Sequence, residues 1–346
     1  MTVISALKID VAFFLIFLFV IAVLLLPSDR EIPLTNFTNS NLIGYGQIRL
    51  DWQNNGTKSL IQAELNHFWQ KQKDTENNYL RSILHFIQTR QNYVISKVMP
   101  HYAGVLFYAS DYPDKPIIIY VINSRINQYL LKFLFLPAVS LSSDYLKKDF
   151  QVVYQLEINA RKYQVYRFDR YFLMFYHNLC LISDTLIAFN YALADTNRVF
   201  PPNLTGMKSL FDSRSDFTFV LDNRDKTCRL AQKFIEARKL SFDSELEMEL
   251  YRTILQRLKI YSDSIVAIEI KGDIVNGDGM NGRWTVLMRD ENSARKFALV
   301  IDGLHQLISQ ELGNRDLLYT VERNISNNQI ISEFEIKGLK QLVQKN

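Results

Sequence analysis

The segment Val11–Leu26 reads VAFFLIFLFVIAVLLL and sets the organisation that we expect for the rest of the chain. Its sixteen apolar residues rise by about 1.5 Å each in a helix and so cover roughly 24 Å. A typical bilayer has about 30 Å of hydrocarbon. Because no small-residue cleavage site follows the run, the pattern predicts an uncleaved transmembrane helix; a secretory signal peptide is the alternative.

The charges beside this run say little about orientation, since Lys8 lies before it and Arg30 after it. A short leading tail is easier to retain in the cytoplasm than the long remainder of the chain. We therefore expect a single-pass protein of the bacterial inner membrane, with the membrane contacted through Val11–Leu26. The bulk of the chain is then expected in the periplasm.

The composition predicts a folded domain with a large core. Of 346 residues, 48% are hydrophobic and 13% aromatic, which excludes a disordered chain. The many Phe and Tyr residues favour strands, where aromatic side chains fit a half-buried pleated surface. Forty basic residues stand against 36 acidic ones, so the sequence predicts no nucleic-acid partner.

Strand patterns occur as consecutive pairs, which predicts antiparallel hairpins. Apolar residues alternate with polar ones over 152–158, and 163–168 returns beside that segment. Helical periodicity covers other segments, where apolar residues recur every three or four positions. The further predicted strands lie at 104–110, 116–122, 171–177, 179–183, 217–221, 266–271, 284–288, 317–322 and 330–337. Two helices are predicted within 57–102, and the other predicted helices lie at 128–136, 185–194, 227–239, 245–261 and 294–312.

Together the patterns predict an α+β fold, with an N-terminal transmembrane helix and mainly antiparallel sheets that carry helices on one face. Both halves contain similar elements, which leaves a duplicated module open. Pro201, Pro202 and Gly206 mark the best internal boundary. The predicted divisions are a cytoplasmic tail 1–10, a transmembrane anchor 11–28, a stalk or N-terminal arm 29–56, a first α+β half 57–195, a connector 196–216 and a second α+β half 217–346.

The order of these elements resembles a known group of proteins. Tyr171–Asp184 leads into TLIAFNYALAD, and SDFTFVLD, the helix Thr227–Lys239 and DSIVAIEIKGD follow. With the apolar N-terminal run and a helical pair, this order is similar to poorly characterised bacterial envelope proteins that carry an exported domain of unknown function. The resemblance covers about residues 50–343 and implies no activity, cofactor or site residue.

No motif predicts a catalytic residue, a cofactor or a metal. The five histidines form neither H-E-x-x-H nor H-x-H, and no Cys-x-x-Cys occurs. There is no G-x-S-x-G elbow, phosphate loop or dinucleotide fingerprint. The loop 276–282 has the oxygen-rich composition of a calcium loop, but its spacing fails at Met280 and favours a hairpin turn. Cys180 and Cys228 are two free thiols or one disulfide.

The segment Arg161–Tyr176, RKYQVYRFDRYFLMFY, interleaves basic and aromatic residues. Such a pattern can bind bases, sugars or lipid head groups. An aromatic sheet core with an arginine rim has the same pattern. The candidate ligand-binding surface consists of Arg161, Tyr163, Tyr166, Arg167, Phe168, Arg170 and Tyr171.

We therefore expect a non-catalytic structural or protein-interaction component of the envelope, with a protein partner. The alternative is an extracytoplasmic binding module for a hydrophobic or glycan ligand that uses the Arg161–Tyr176 segment. A third hypothesis, an enzyme with a dispersed site, needs titratable side chains to converge in one pocket, for example His177 with a nearby aspartate.

Overall fold

The structure is a computed structural model. It describes residues 14–15, 18, 21–22, 30–39, 41–49, 58, 96–97, 99–110, 116–126, 128–135, 150–158, 161–193, 215–223, 249, 252–253, 256–257, 259–275, 278–314 and 316–339. The helices predicted over 57–102 and 227–239 lie almost wholly outside these residues. Cys228 lies outside them too, as does the predicted connector 196–216 except for residues 215 and 216.

Strands dominate the described part of the chain. They are β1 Leu42–Arg49, β2 Tyr102–Tyr108, β3 Ile117–Asn123, β4 Phe150–Ile158, β5 Arg161–Phe168, β6 Tyr171–Tyr176, β7 Leu179–Ser183, β8 Phe217–Asp222, β9 Ile265–Val275, β10 Gly279–Met288, β11 Leu318–Ser326 and β12 Gln329–Lys337. The helices are α1 Gln128–Leu130, which continues as a π-helical turn Leu131–Phe135, α2 Ile187–Leu193 and α3 Glu291–Gly313. The strand pairs with a described register are all antiparallel.

The predicted transmembrane helix over residues 11–28 is wrong. Among the residues that the structure describes, no helix is long and apolar enough to cross a membrane. The physical reason lies in the length of the apolar run, whose roughly 24 Å falls short of the hydrocarbon layer. The predicted fold class is corrected accordingly, from a membrane-anchored α+β domain to a fold built mainly from antiparallel sheet.

Two compact units interleave along the sequence. The first contains Met1–Asn39, Asp74–Leu106 and Ile117–Val199, and the second contains Ser40–Lys73, Phe107–Pro116 and Phe200–Asn346. The predicted division of the chain at residues 196–216 stays a prediction.

The first unit holds the strand order β3-β7-β6-β5-β4, with the start of β2 beside β3. Alternation along these strands places Val121, Met174 and Leu181 in its core, each fully buried, together with Phe189 of α2. The β5–β6 and β6–β7 hairpins turn at Asp169 and His177, whose φ angles of 56° and 51° are positive. Two-residue turns of this kind match the twist of the strands that they join.

The segment 30–39 is hydrogen-bonded to the first unit. The Asn178 side chain donates to the carbonyl of Arg30 over 2.8 Å, and the Tyr102 hydroxyl donates to the carbonyl of Ile32 over 2.6 Å. The Asn39 amide donates to the carbonyl of Tyr191 over 2.7 Å. This part of the predicted stalk or arm is therefore packed against the unit rather than extended away from it.

The second unit holds the strand order β1-β8-β9-β10-β12-β11, with α3 packed on one face of the sheet. Asp290 caps α3, since its carboxylate accepts from the Ser293 backbone N–H over 2.8 Å. The buried face of the helix carries Phe297 and Ile301, which pack with Val286 of the sheet. The apolar periodicity of residues 294–308 therefore marks the face of α3 that closes this core.

Two glycines lie side by side on neighbouring strands of this sheet and are closely packed. Gly272 of β9 lies directly opposite Gly282 of β10. A Cβ atom on Gly272 would lie 2.4 Å from the ring of Phe217 and 2.5 Å from the carbonyl oxygen of Asn281. A Cβ on Gly282 would lie 2.4 Å from the ring of Phe334. Only residues without a side chain allow both rings to approach the backbone this closely.

We predict that Gly272→Ala lowers the free energy of unfolding by about 1–3 kcal/mol, because the new methyl group meets both a ring and a backbone carbonyl. The measurement is urea denaturation of the full chain. Gly313→Ala is the control, since nothing lies within 4 Å of its Cβ position. The control is expected to leave stability unchanged or raise it by up to about 1 kcal/mol. Equal losses in both variants would contradict the close-packing argument.

Candidate functional site

The residues of the predicted ligand-binding surface are divided between two faces of the first unit's sheet. Strand β5 alternates, so that Tyr163 and Arg167 point to one face and Tyr166 to the other. Tyr166 is only 7% exposed and packs edge-to-face on Phe175. Burial also raises the pKa of its hydroxyl, which donates to Gln164 over 2.8 Å.

The other members of this predicted surface make local contacts. Tyr163 is half-buried, and its ring centroid lies 5.3 Å from that of Tyr176. The guanidinium group of Arg170 lies 5.0 Å from the ring centroid of its neighbour Tyr171. Arg161 is exposed, and the Phe168 side chain lies outside the described structure. The sequence pattern therefore corresponds in part to a packed sheet core, and the seven residues do not share one face.

The structure also describes His177 and Cys180, two residues that stood out in the sequence. His177 is an exposed turn residue with positive φ, stacked edge-to-face on Tyr176. Cys180 carries a free thiol, and burial raises its pKa to about 12. A thiol with this pKa stays protonated at neutral pH and is a poor nucleophile.

The most site-like feature of the described structure is a groove on the second unit. Its volume is about 830 Å³, and it lies over strands β9, β10, β12 and β11. The floor is the backbone of Gly272 and Gly282. Polar side chains line the groove: Lys271, Asp273, Asn281, Arg283, Thr320, Glu322, Glu333 and Glu335. Four carboxylates thus stand against two basic groups.

Strand register brings these side chains together. Lys271 lies opposite Arg283, which lies opposite Glu333. Glu333 in turn lies opposite Glu322 on β11. Residues directly opposite each other point to the same face, so one row across four strands carries two cations followed by two carboxylates. A second row carries Asp273, Asn281, Glu335 and Thr320 in the same order of strands.

An ion pair joins the two halves of the first row. The Arg283 guanidinium donates to Glu333 from Nε over 3.0 Å and also from Nη2. Lys271 lies 3.5 Å from the buried carboxylate of Glu269, and Lys337 lies 2.9 Å from Glu335. Like charges opposite each other weaken a sheet unless such partners compensate them. The groove thus carries a row of paired charges, in which the side chains of Arg283 and Glu333 remain about half exposed.

The sequence patterns did not predict this groove. The available signal was the pair of glycines within two strand patterns, since glycine inside a strand often marks close backbone approach. Alignment of the β9–β10 hairpin on its turn would have placed Gly272 opposite Gly282. The register of β12 against β10 involves residues about 50 positions apart, and no local pattern supplies it.

The loop 276–282 is part of the same hairpin. Strand β10 begins at Gly279, which lies opposite Val275 of β9. Residues 276 and 277 lie outside the described structure. Among the described residues, no group of three or more His, Cys, Asp or Glu side chains is arranged to hold a metal ion.

The face of this sheet that packs against α3 contains a buried histidine. His305 is 5% exposed, its Nδ1 is hydrogen-bonded to the Tyr319 hydroxyl, and its ring lies edge-to-face on Trp284. Within the described residues, its Nε2 has no hydrogen-bond partner. Burial lowers the pKa of His305 and Arg323 lowers it further, whereas Asp302 raises it. Burial also raises the pKa of Tyr319 to about 12.

Comparison with known proteins assigns no family to the chain. No protein-family model matches it, and no curated protein matches it. A solved structure, crystal form III of TP0453, aligns with 10% sequence identity and a TM-score of 0.44 over 91% of this chain and 97% of that chain. A likeness at this level carries no inference about function.

We predict that acid destabilises the second unit through His305. Its folded-state pKa lies below the ordinary value of 6.5, so the folded state favours the neutral ring. The resulting contribution to stability is complete above pH 6.5 and is lost as the pH falls below 6.5 towards the lowered pKa. His305→Gln removes the titrating group and is expected to flatten this part of the profile. The measurement is urea denaturation at several pH values between 4.5 and 8.

His177→Gln is the control for this prediction, since His177 is exposed on a turn. It should leave the pH profile unchanged. A profile for His305→Gln that keeps the full acid loss below pH 6.5 would show that other groups cause it.

Proposed function

We propose that this chain is a non-catalytic protein-interaction component and that the groove over β9–β12 is its contact surface. The observation that carries the proposal is the fixed row of charges Lys271, Arg283, Glu333 and Glu322 across four strands. Proteins recognise each other through complementary arrangements of charge of this kind, which set orientation and partner choice.

The chemistry of the lining supports binding over catalysis. The described lining of the groove contains four carboxylates, one amide, a lysine, an arginine, a threonine and the serine Ser215, but no histidine or cysteine.

The test reverses the groove's charge pattern while preserving its ion pair. Arg283→Glu combined with Glu333→Arg keeps the net charge and exchanges the two signs. Pull-down with the full chain in mild detergent, followed by mass spectrometry, is expected to lose the proteins that bind the groove. We expect a loss of about tenfold in their recovery, since buried or semi-buried charge contacts at interfaces are often worth about 1–2 kcal/mol.

A matched control is available on α3. Arg295→Glu combined with Glu291→Arg reverses an exposed ion pair that lies on the helix, with N and O atoms 2.6 Å apart in the native chain. The captured proteins should be the same as for the native chain. If the groove reversal also leaves every captured protein in place, the groove is not the contact surface.

We also propose that the chain acts in the bacterial cell envelope, outside the cytoplasm. The support is Val11–Leu26, whose composition is that of the apolar core of an export signal. A C-terminal fusion to an enzyme that becomes active only after disulfide formation outside the cytoplasm tests this. The fusion is expected to be active, and deletion of residues 11–26 is expected to abolish the activity. An inactive full-length fusion of normal abundance would contradict export.

A further inference from the structure

We infer that the exposed edge of β11 accepts an extended segment of the partner as an additional strand, with a lysine or arginine of that segment over Glu322. The inference rests on the proposed function, since it names the partner chemistry at the acidic end of the groove. Strand addition to a sheet edge is a recurrent mode of peptide recognition, in which backbone hydrogen bonds give affinity and alternate side chains give specificity.

Strand β11 lies at the end of the strand order and is exposed along its length. Its neighbour on one side is β12, to which it pairs over nine residues, and the order of the described strands ends there. Seven of its nine residues are exposed, including Leu318 at 58% and Val321 at 36%. A long edge strand with exposed apolar side chains is a ready template for another chain.

The edge strand β4 of the first unit provides a comparison. Strand β4 also exposes apolar side chains, with Val152 at 54% and Tyr154 at 49%. Its pairing with β5 is interrupted by a register shift between these two residues. Bulges of this kind protect edge strands, because they twist the backbone out of line for another strand. The register of β11 with β12 has no such interruption.

Contacts with α3 hold β11 in a defined position. The Tyr319 hydroxyl is hydrogen-bonded to His305, and Arg323 forms an ion pair with Asp302. The Arg323 guanidinium also donates to the carbonyl of Ala298 over 2.7 Å. Tyr319 and Arg323 point towards α3, so the strand is anchored on one face while its edge stays exposed. A pre-ordered edge lowers the entropic cost of adding a strand.

The charges beside β11 determine which side chain the added segment carries opposite Glu322. Glu322 points to the groove face, next to Glu333, whose carboxylate is already paired with Arg283. Within the described residues, no cation forms an ion pair with Glu322. A lysine or arginine directly opposite Glu322 would relieve the repulsion between the two carboxylates. On the other face, the partner would place apolar side chains beside Val321.

The partner segment is therefore expected to alternate, with apolar residues towards α3 and polar residues towards the groove. Thr320 and Asn324 flank Glu322 on the groove face and favour hydroxyl or amide side chains opposite them. A suitable probe is a nine-residue peptide that alternates valine with threonine and carries one central lysine. A second peptide with glutamate in place of that lysine is the matched probe.

The test is hydrogen exchange and affinity measurement on the full chain with these two peptides. The lysine peptide is expected to protect alternate backbone amides of β11, since only every second N–H of an edge strand points outward. Glu322→Lys is expected to weaken its binding about tenfold and to strengthen binding of the glutamate peptide. Glu157→Lys, on the exposed edge strand β4, is the control and should change neither affinity.

Three results would overturn the inference: no protection of β11 by the lysine peptide, equal binding of both peptides, or protection of β4 instead. Concentration-dependent protection of β11 without any peptide would also overturn it, because a second copy of the chain would then be the occupant. The charge reversal of Arg283 and Glu333 separates this inference from the proposed function. If the groove is not a contact surface, the charge reversal leaves the captured proteins unchanged and the proposed function fails. The peptide experiment tests the inference separately, because it measures protection of β11 and its dependence on Glu322.

Discussion

The structure of the second unit depends on the coverage of one sheet face by α3. The helix buries Phe297, Ala298 and Ile301 against Val286 and Ile330. Because side chains alternate along every strand, this coverage separates the positions of β9, β10, β11 and β12 that face α3 from those on the opposite face. A shift of one residue in any register would exchange the two sets, so the buried face fixes the polar face as well.

The charge rows on the opposite face follow from that constraint. Lys271 and Arg283 come from one hairpin, and Glu322 and Glu333 come from another. The pairing of β10 with β12, about 50 positions apart in sequence, aligns the two hairpins. The arrangement places like charges opposite each other twice, which costs stability in an isolated sheet. The Arg283–Glu333 ion pair offsets part of that cost. The two like-charged pairs destabilise the sheet by itself, and a partner that places opposite charges beside them would offset this cost.

The local parts of this fold could be predicted from the sequence, and the distant parts could not. The alternation over 152–158 and 163–168 predicts the β4–β5 hairpin, and the periodicity of residues 294–308 predicts α3 up to Gly313. Pairings such as β1 with β8 and β3 with β7 join residues far apart in the chain. No period or turn signal encodes them. The groove was missed for the same reason, since its row of charges exists only once β12 lies beside β10.

The N-terminal prediction was wrong for a different reason. Hydropathy alone identified Val11–Leu26, whereas spanning a bilayer also requires length, and sixteen apolar residues provide roughly 24 Å. The aromatic segment 161–176 likewise shows that composition alone does not identify the role of a segment. Its basic and aromatic residues are as compatible with a packed sheet as with a binding surface. The burial of Tyr166 shows that part of the pattern serves packing.

The core and the exposed edge of the second unit are mechanically connected through α3. His305 and Asp302 lie one helical turn apart on α3, and they contact Tyr319 and Arg323 of β11. Both contacts lie on the face of β11 that is turned away from the groove. A displacement of α3 would therefore act on β11 directly through these two contacts and not through β9, β10 and β12. The same contacts keep the edge rigid, so the exposed backbone of β11 and the charges beside it form one preorganised surface.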